Sequence, residues 1–181
     1  MAAGFKSLQK ILAGYAKRAH ALAQDTVKIG VLDGKYEDGT NVAYVAAIQE
    51  YGCPERGIPP RPFFRPTIQQ QQKAWADSLH SGVKGVVEGN LQPHHVLDAV
   101  GAVAEADIKQ SISEVRQPPL SPITVMLRGM RQHDASLVVT GRTVGEAARR
   151  VANGETNYGA SDKPLEDTFT LFDSITHQVD S

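Results

Sequence analysis

The sequence predicts an α+β fold in which a small, mostly antiparallel β-sheet packs against a long helical hairpin, with an N-terminal amphipathic helix and a proline-rich arm. Three observations lead there. Val27, Ile29 and Val31 alternate with Thr26, Lys28 and Gly30, the two-residue period of a strand with one dry face, and Ile175, His177 and Val179 repeat that parity near the C-terminus. Two long segments carry apolar residues at helical spacing and are joined by a short polar link. Five prolines, Pro54, Pro59, Pro60, Pro62 and Pro66, stiffen residues 52–66 between the first strand and the hairpin.

The chain of 181 residues fits one domain, 1–181, large enough to build a core without staples. Lys and Arg number 19 against 20 Asp and Glu, so no global field favours nucleic acid or an anionic membrane. The single cysteine, Cys53, excludes an internal disulfide and a cysteine zinc cluster, and suits a reducing compartment.

Phe5, Leu8, Leu12, Tyr15, Ala19 and Leu22 recur at spacings of three and four, with Lys6, Lys10, Lys17 and Arg18 on other faces. These charges interrupt any run of signal-peptide or membrane-span length. The stripe needs a cover, which the helix finds on its own sheet or in a subunit contact; a membrane surface is disfavoured by the short face and the balanced charge. After the first strand, Asp38-Gly39 within residues 35–41 marks an exposed turn. Residues 42–51 (VAYVAAIQEY) read as a short helix, with a strand as the alternative.

Residues 52–66 (GCPERGIPPRPFFRP) read as a polyproline-like arm that presents Ile58, Phe63 and Phe64 with Arg56, Arg61 and Arg65 between them. Residues 67–88 follow as a long helix with Ile68, Trp75, Leu79, Val83 and Val86 on one side, its last turns weakened by Gly82, Gly85 and Gly89. A second helix begins near Pro93 and stops before Pro118-Pro119. Ser121-Pro122 caps a short helix, with a strand over 123–127 as the competing reading. Residues 129–163 read as irregular and exposed, apart from a small helix opened by Thr143 and Glu146 at capping-box spacing. The last strand is expected to pair with the first and bring the chain ends together.

Chemistry-bearing patterns are sparse. The histidines, His20, His80, His94, His95, His133 and His177, form no zinc-ligand spacing. His133-Asp134 is the one pairing that a small hydrolase with an unrecognised site would use. Cys53 lies between Glu50 and Glu55, which disfavour a thiolate. No serine-nucleophile elbow or phosphate-binding glycine loop is present, so the reading carries no catalytic, cofactor or metal residue. The Arg56, Arg61 and Arg65 patch beside Phe63 and Phe64 is the candidate for nucleic-acid contact.

The run AYVAAIQEYGCPERGIPPRPFFRPTI, followed by PPLSPITVMLR and KPLEDTFTLFDSITHQV, resembles the neck and tail-completion proteins of tailed bacteriophages and prophages. The most specific part couples Glu50, Tyr51 and Gly52 to residues 58–66. Pro164, Leu165, Asp167, Thr168, Leu171, Ser174 and Ile175 match a later motif. The sequence departs at Phe169, where glycine is common, and over residues 129–163. The resemblance implies a non-enzymatic virion protein at the head-tail junction, made in the bacterial host cytoplasm. It also implies a ring, a hexamer or dodecamer, with connector, neck or tail proteins as partners and DNA passing through its channel. Pro60, Arg61, Pro62 and Phe63 match its motif positions, and together with the reading of the proline-rich arm they make Ile58, Pro60, Arg61, Pro62, Phe63, Phe64 and Arg65 the interface candidates.

Overall fold

A computed structural model describes residues 2–156, 158–167 and 169–180, with side chains from Lys10 onward. The side chains of Phe5, Lys6 and Leu8 in the N-terminal stripe, and Thr168 of the later motif, lie outside the described residues. The element order is α1 (Ala2–Gln24), β1 (Thr26–Val31), α2 (Val42–Tyr51), α3 (Phe64–Glu88), α4 (Pro93–Glu114), α5 (Pro122–His133), α6 (Gly141–Ala152), α7 (Thr170–Asp173) and β2 (Ile175–Asp180). This is an α+β fold with a two-stranded antiparallel sheet against helices.

The strands pair from Thr26 opposite Asp180 to Val31 opposite Ile175, as the shared parity of the two segments predicts. Their dry face lies on α4. Gly101 of α4 makes that approach possible: a Cβ there would sit 2.6 Å from the His177 ring and 2.9 Å from Val27 Cγ2.

The helical hairpin is present, and its glycines have a different role from the one expected. A Cβ on Gly82 would meet Val96 at 2.3 Å and one on Gly85 would meet Leu91 at 2.7 Å, so these positions let α4 pack closely on α3 rather than merely fraying it. Further along, the Trp75 indole N–H donates to Asp107 Oδ2 at 2.7 Å. Gly89 closes α3 in the left-handed conformation at φ 89°.

The main core joins Val42, Ala46, Phe63, Ile108, Ile112, Leu165, Leu171 and Ile175. A smaller cluster of Met126, Met130 and Ala147 lies between α5 and α6. That second cluster corrects the expectation of an irregular, exposed stretch over 129–163: Gly129 and Met130 are buried, and α6 is an ordered helix. Its cap is also one turn earlier than expected. Thr140 and Thr143 form the capping box reciprocally, and Glu146 instead pairs with Arg150 at 2.7 Å. Ser121 caps α5 through Thr124 N–H, which decides for the helix over the strand.

Candidate assembly interface

The proline-rich segment is folded into the molecule. Cys53 and Ile58 exchange backbone hydrogen bonds of 2.8 and 3.0 Å around a 3-10 turn, Pro54–Arg56. Gly52, at φ 77°, lets the chain turn back; a Cβ there would meet Pro60 N at 2.9 Å. The Arg61 amide then donates to Gln49 O at 2.6 Å.

Glu50 is the centre of this clasp. Its carboxylate accepts hydrogen bonds from the Phe63, Phe64 and Arg65 amides at 2.7, 2.9 and 3.1 Å, and from Arg65 Nε at 2.9 Å. Those amides open α3, where N–H groups have no intrahelical partner and the helix dipole favours an anion. Burial alone would raise the Glu50 pKa; the hydrogen bonds outweigh it and hold the carboxyl below its ordinary value.

Arg61, 5% exposed, faces inward. It donates from Nε to Pro118 O at 2.8 Å and from Nη2 to Pro119 O at 3.0 Å, tying the segment to the chain leaving α4. Phe63 is wholly buried in the main core, and Phe64 is half-buried beneath Gly30. Ile58 and Pro62 are also half-buried.

This corrects the picture of an arm offered to a neighbour. Of the interface candidates only Pro60 and Arg65 face outward, Arg65 with its guanidinium 4.6 Å over the exposed Tyr51 ring. The segment is also not one extended arm: Pro54–Arg56 form a 3-10 turn and α3 already begins at Phe64, three residues before the expected start, while Glu50 and Arg61 tie the rest inward. The nucleic-acid patch is dispersed for the same reason: Arg61 is spent on carbonyls and Arg65 on Glu50, leaving Arg56 alone on the surface turn.

His133 and Asp134 are satisfied locally. His133 Nδ1 lies 2.9 Å from Gly129 O and its ring packs 4.3 Å from Tyr158, while Asp134 accepts from the Ser136 amide and hydroxyl. Among the described residues no group of three His, Cys, Asp or Glu side chains is placed to hold a metal ion, and no helix is long and apolar enough to cross a membrane.

The surface that sequence reasoning missed is a groove of about 680 Å³ between residues 36–40, α2, α5 and the segments 135–139 and 164–171. Leu165, Leu171 and Arg128 form its buried base. Its rim carries Val138 at 70% exposure, Val139 at 54% and Phe169 at 51%, and Glu37, Asp38 and Arg131 line it too. Val138-Val139, two adjacent apolar residues in a polar stretch, were the available signal.

Arg128 donates to Ser161 O, Lys163 O and Pro164 O at 3.2, 2.6 and 3.1 Å. Its Nε makes an ion contact with Asp167 Oδ1 at 3.3 Å that lacks hydrogen-bond alignment. Burial pulls its pKa down, opposed by Asp167. Burial likewise raises the Tyr36 phenol, helped by Asp167 and Asp38, so it stays protonated. Asp38 is held below the usual carboxylate range by hydrogen bonds from Thr40 and stays charged. The groove therefore combines apolar walls, a rim of mixed charge in which Arg131 faces Asp38 and Asp167, and an arginine already engaged by backbone. Compared with protein-family models, curated proteins and solved structures, the chain gives no match.

Proposed function

We propose that the chain is a non-enzymatic assembly protein of the phage neck or the head-proximal end of the tail, forming or completing a ring at the head-tail junction of the virion. The observation that carries the reading is the groove rim, where Val138, Val139 and Phe169 stay exposed together beside the acids Glu37 and Asp38. Clustered exposed apolar groups with a polar border suit contact with another protein. The groove's charged base is committed to structure: Arg128 holds three carbonyls and Asp167 holds Arg128 and Arg131. That commitment of the charged groups supports a binding role for the groove.

Two further features support the phage assignment. The stretch that carries the resemblance, Glu50 to Gly52 with residues 58–66, is one physical unit through Glu50 and Gly52. Phe169, where the resemblance expects glycine, has φ 59°, in the left-handed region that favours glycine. Subunits of a ring must hold a fixed angle between copies, and a clasp that locks α2 to α3 provides a rigid body for this.

The test is the mass of the purified chain by light scattering across concentration, with negative-stain imaging. Closed hexamers or dodecamers support the proposal, as does ring completion on a connector or tail platform. A chain that neither self-associates nor joins such a platform overturns it.

A further inference from the structure

We infer that α5 and α6, with the chain that follows them to Pro164, form a hinged flap that closes the groove onto the body of the same molecule, so that the apolar rim is a surface the protein can withdraw. The inference goes beyond the assembly reading and does not depend on it, because the movement belongs to a single chain. The groove follows the seam between the two buried clusters. One wall, with Tyr36, Leu165 and Leu171, packs with the main core; the other, formed by α5 and residues 135–139, is anchored through Leu137 in the small cluster. The clusters share no residue, α5 and α6 pack mainly on each other, and among the described residues no backbone hydrogen bond joins either helix to the body.

Two arginines mark the hinge. On the body, Arg61 holds Pro118 O and Pro119 O, which fixes the chain to that point, and α5 opens at Pro122 with Ser121 as its cap. Leu120 and Ser121 lie between the two and form the first crossing. On the flap, Arg128 holds Ser161 O, Lys163 O and Pro164 O, and the Tyr158 ring packs on both His133 of α5 at 4.3 Å and Arg150 of α6 at 5.4 Å. The returning chain therefore moves with the helices until Leu165 enters the main core. The Lys163–Glu166 ion pair at 2.8 Å spans this second crossing, where a rotation displaces it least. The crossings lie side by side: Arg61, whose pKa is lowered first by burial, also feels the charge of Arg128. A few residues at the ends of elements, absorbing a change of backbone angle, are the usual form of a hinge.

The ion contacts that α5 makes across the seam are slack. Arg128 Nε, buried and without a hydrogen-bond partner, stands 3.3 Å from Asp167 Oδ1, and Arg131 stands 3.6 Å from Asp167 Oδ2, against about 2.7–2.9 Å for a well-made charge-assisted bond. Asp38, held low chiefly by the Thr40 amide and hydroxyl, also feels the Arg131 charge, yet among the described residues the two form no ion pair. A swing of α5 toward the body shortens all three separations. Arg131 lies about 15 Å along α5 from Ser121 at 1.5 Å per residue, so a rotation of about 15° moves it by about 4 Å. The same movement takes Val138 and Val139 toward the wall that carries Phe169 and removes their exposed apolar surface from water. The flap thus has a hinge, a lever and a driving force for closure.

The experiment measures the distance across the groove by double electron-electron resonance. Nitroxide labels are placed on Ala43→Cys in α2 and Gln132→Cys in α5, both exposed and outside the groove lining, in full-length Cys53→Ser protein. The labelled chain is diluted into unlabelled chain so that distances within one copy are read. Val138→Glu then charges the rim, and Asp38→Asn removes the partner of Arg131 while keeping an oxygen to accept from the Thr40 amide. The labelled parent is expected to show a short-distance population, and each variant to lower it by about fourfold or more, the scale of one buried methylene group. A shift to longer distance in both variants, with parental hydrogen-exchange protection of α5 and α6, supports the hinge. The same shift with that protection lost overturns it, because the flap is then unfolding rather than swinging. A distribution that either variant leaves unmoved overturns it as well.

Discussion

A carboxylate with 4% of its surface exposed should cost the fold stability, yet Glu50 is held charged by three amides and one guanidinium. Because its folded pKa is depressed, its contribution is fully present above the unfolded value near 4.5 and is lost as pH falls through the lower folded value. Glu50→Gln should therefore cost about 2 kcal/mol at pH 7 and flatten the acid limb of the stability curve, read by urea unfolding from pH 3 to 7. The glycines give a second, signed pair of predictions. Gly101→Ala puts a Cβ 2.6 Å from the His177 ring and should destabilise by about 1–3 kcal/mol despite better helix propensity. Gly145→Ala, in α6 with nothing within 4 Å, should instead stabilise by roughly 0.5–1 kcal/mol. Thermal melts of the two variants decide it. None of this residue-level detail was legible in the sequence, because Glu50, Gly101 and Arg61 acquire their roles from groups 13 to 76 positions away in the chain.

At the scale of elements much more was legible. Alternation located both strands and their pairing, helical spacing and Pro93 located the hairpin, and Ser121-Pro122 located the start of α5. These signals are local, so a local reading catches them. The proline-rich segment failed in shape and in direction, because the φ angle of proline also suits a 3-10 turn, as at Pro54, and the first turn of a helix, as at Pro66, and says nothing of which way the segment faces. The junction of β2 with α4 carries a prediction of its own. His177 reaches Glu105 Oε2 at 2.7 Å through Nδ1 and Asp98 Oδ1 at 3.3 Å through Nε2, with Lys109 also bound to Glu105 at 2.6 Å. From the sheet side, Ile29 is its cross-strand neighbour. The Glu105 hydrogen bond is the main cause that raises the His177 pKa above 6.5. A raised folded value means stability that is complete below pH 6.5 and declines as pH rises through the folded value. The wild type should lose stability on that alkaline approach, and His177→Gln should remove the slope, as measured by unfolding midpoints between pH 5.5 and 9.

At the scale of the molecule, the question is how the α5–α6 cluster is held to the main core, since each has its own buried apolar set. Arg128 supplies one tie. It sits on α5 among Val125, Met126, Gly129 and Met130, yet its guanidinium grips the carbonyls of residues 161, 163 and 164 just before Leu165 enters the main core. An arginine suits this place because its fork of donors satisfies several carbonyls at once. Arg128→Met keeps much of the side-chain volume but leaves those carbonyls without their donor and Asp167 with Arg131 as its remaining ion contact. The expected cost is about 2–3 kcal/mol, concentrated in one region. Hydrogen exchange should rise across residues 134–167 while α3 and α4 retain wild-type protection, since the hairpin's own contacts are untouched. Uniform loss of protection throughout the chain would show instead that the two clusters unfold as one unit. Because Arg128 also lines the base of the groove, local loosening should deform that groove with the hairpin still folded, which links the internal tie to the exposed rim above it.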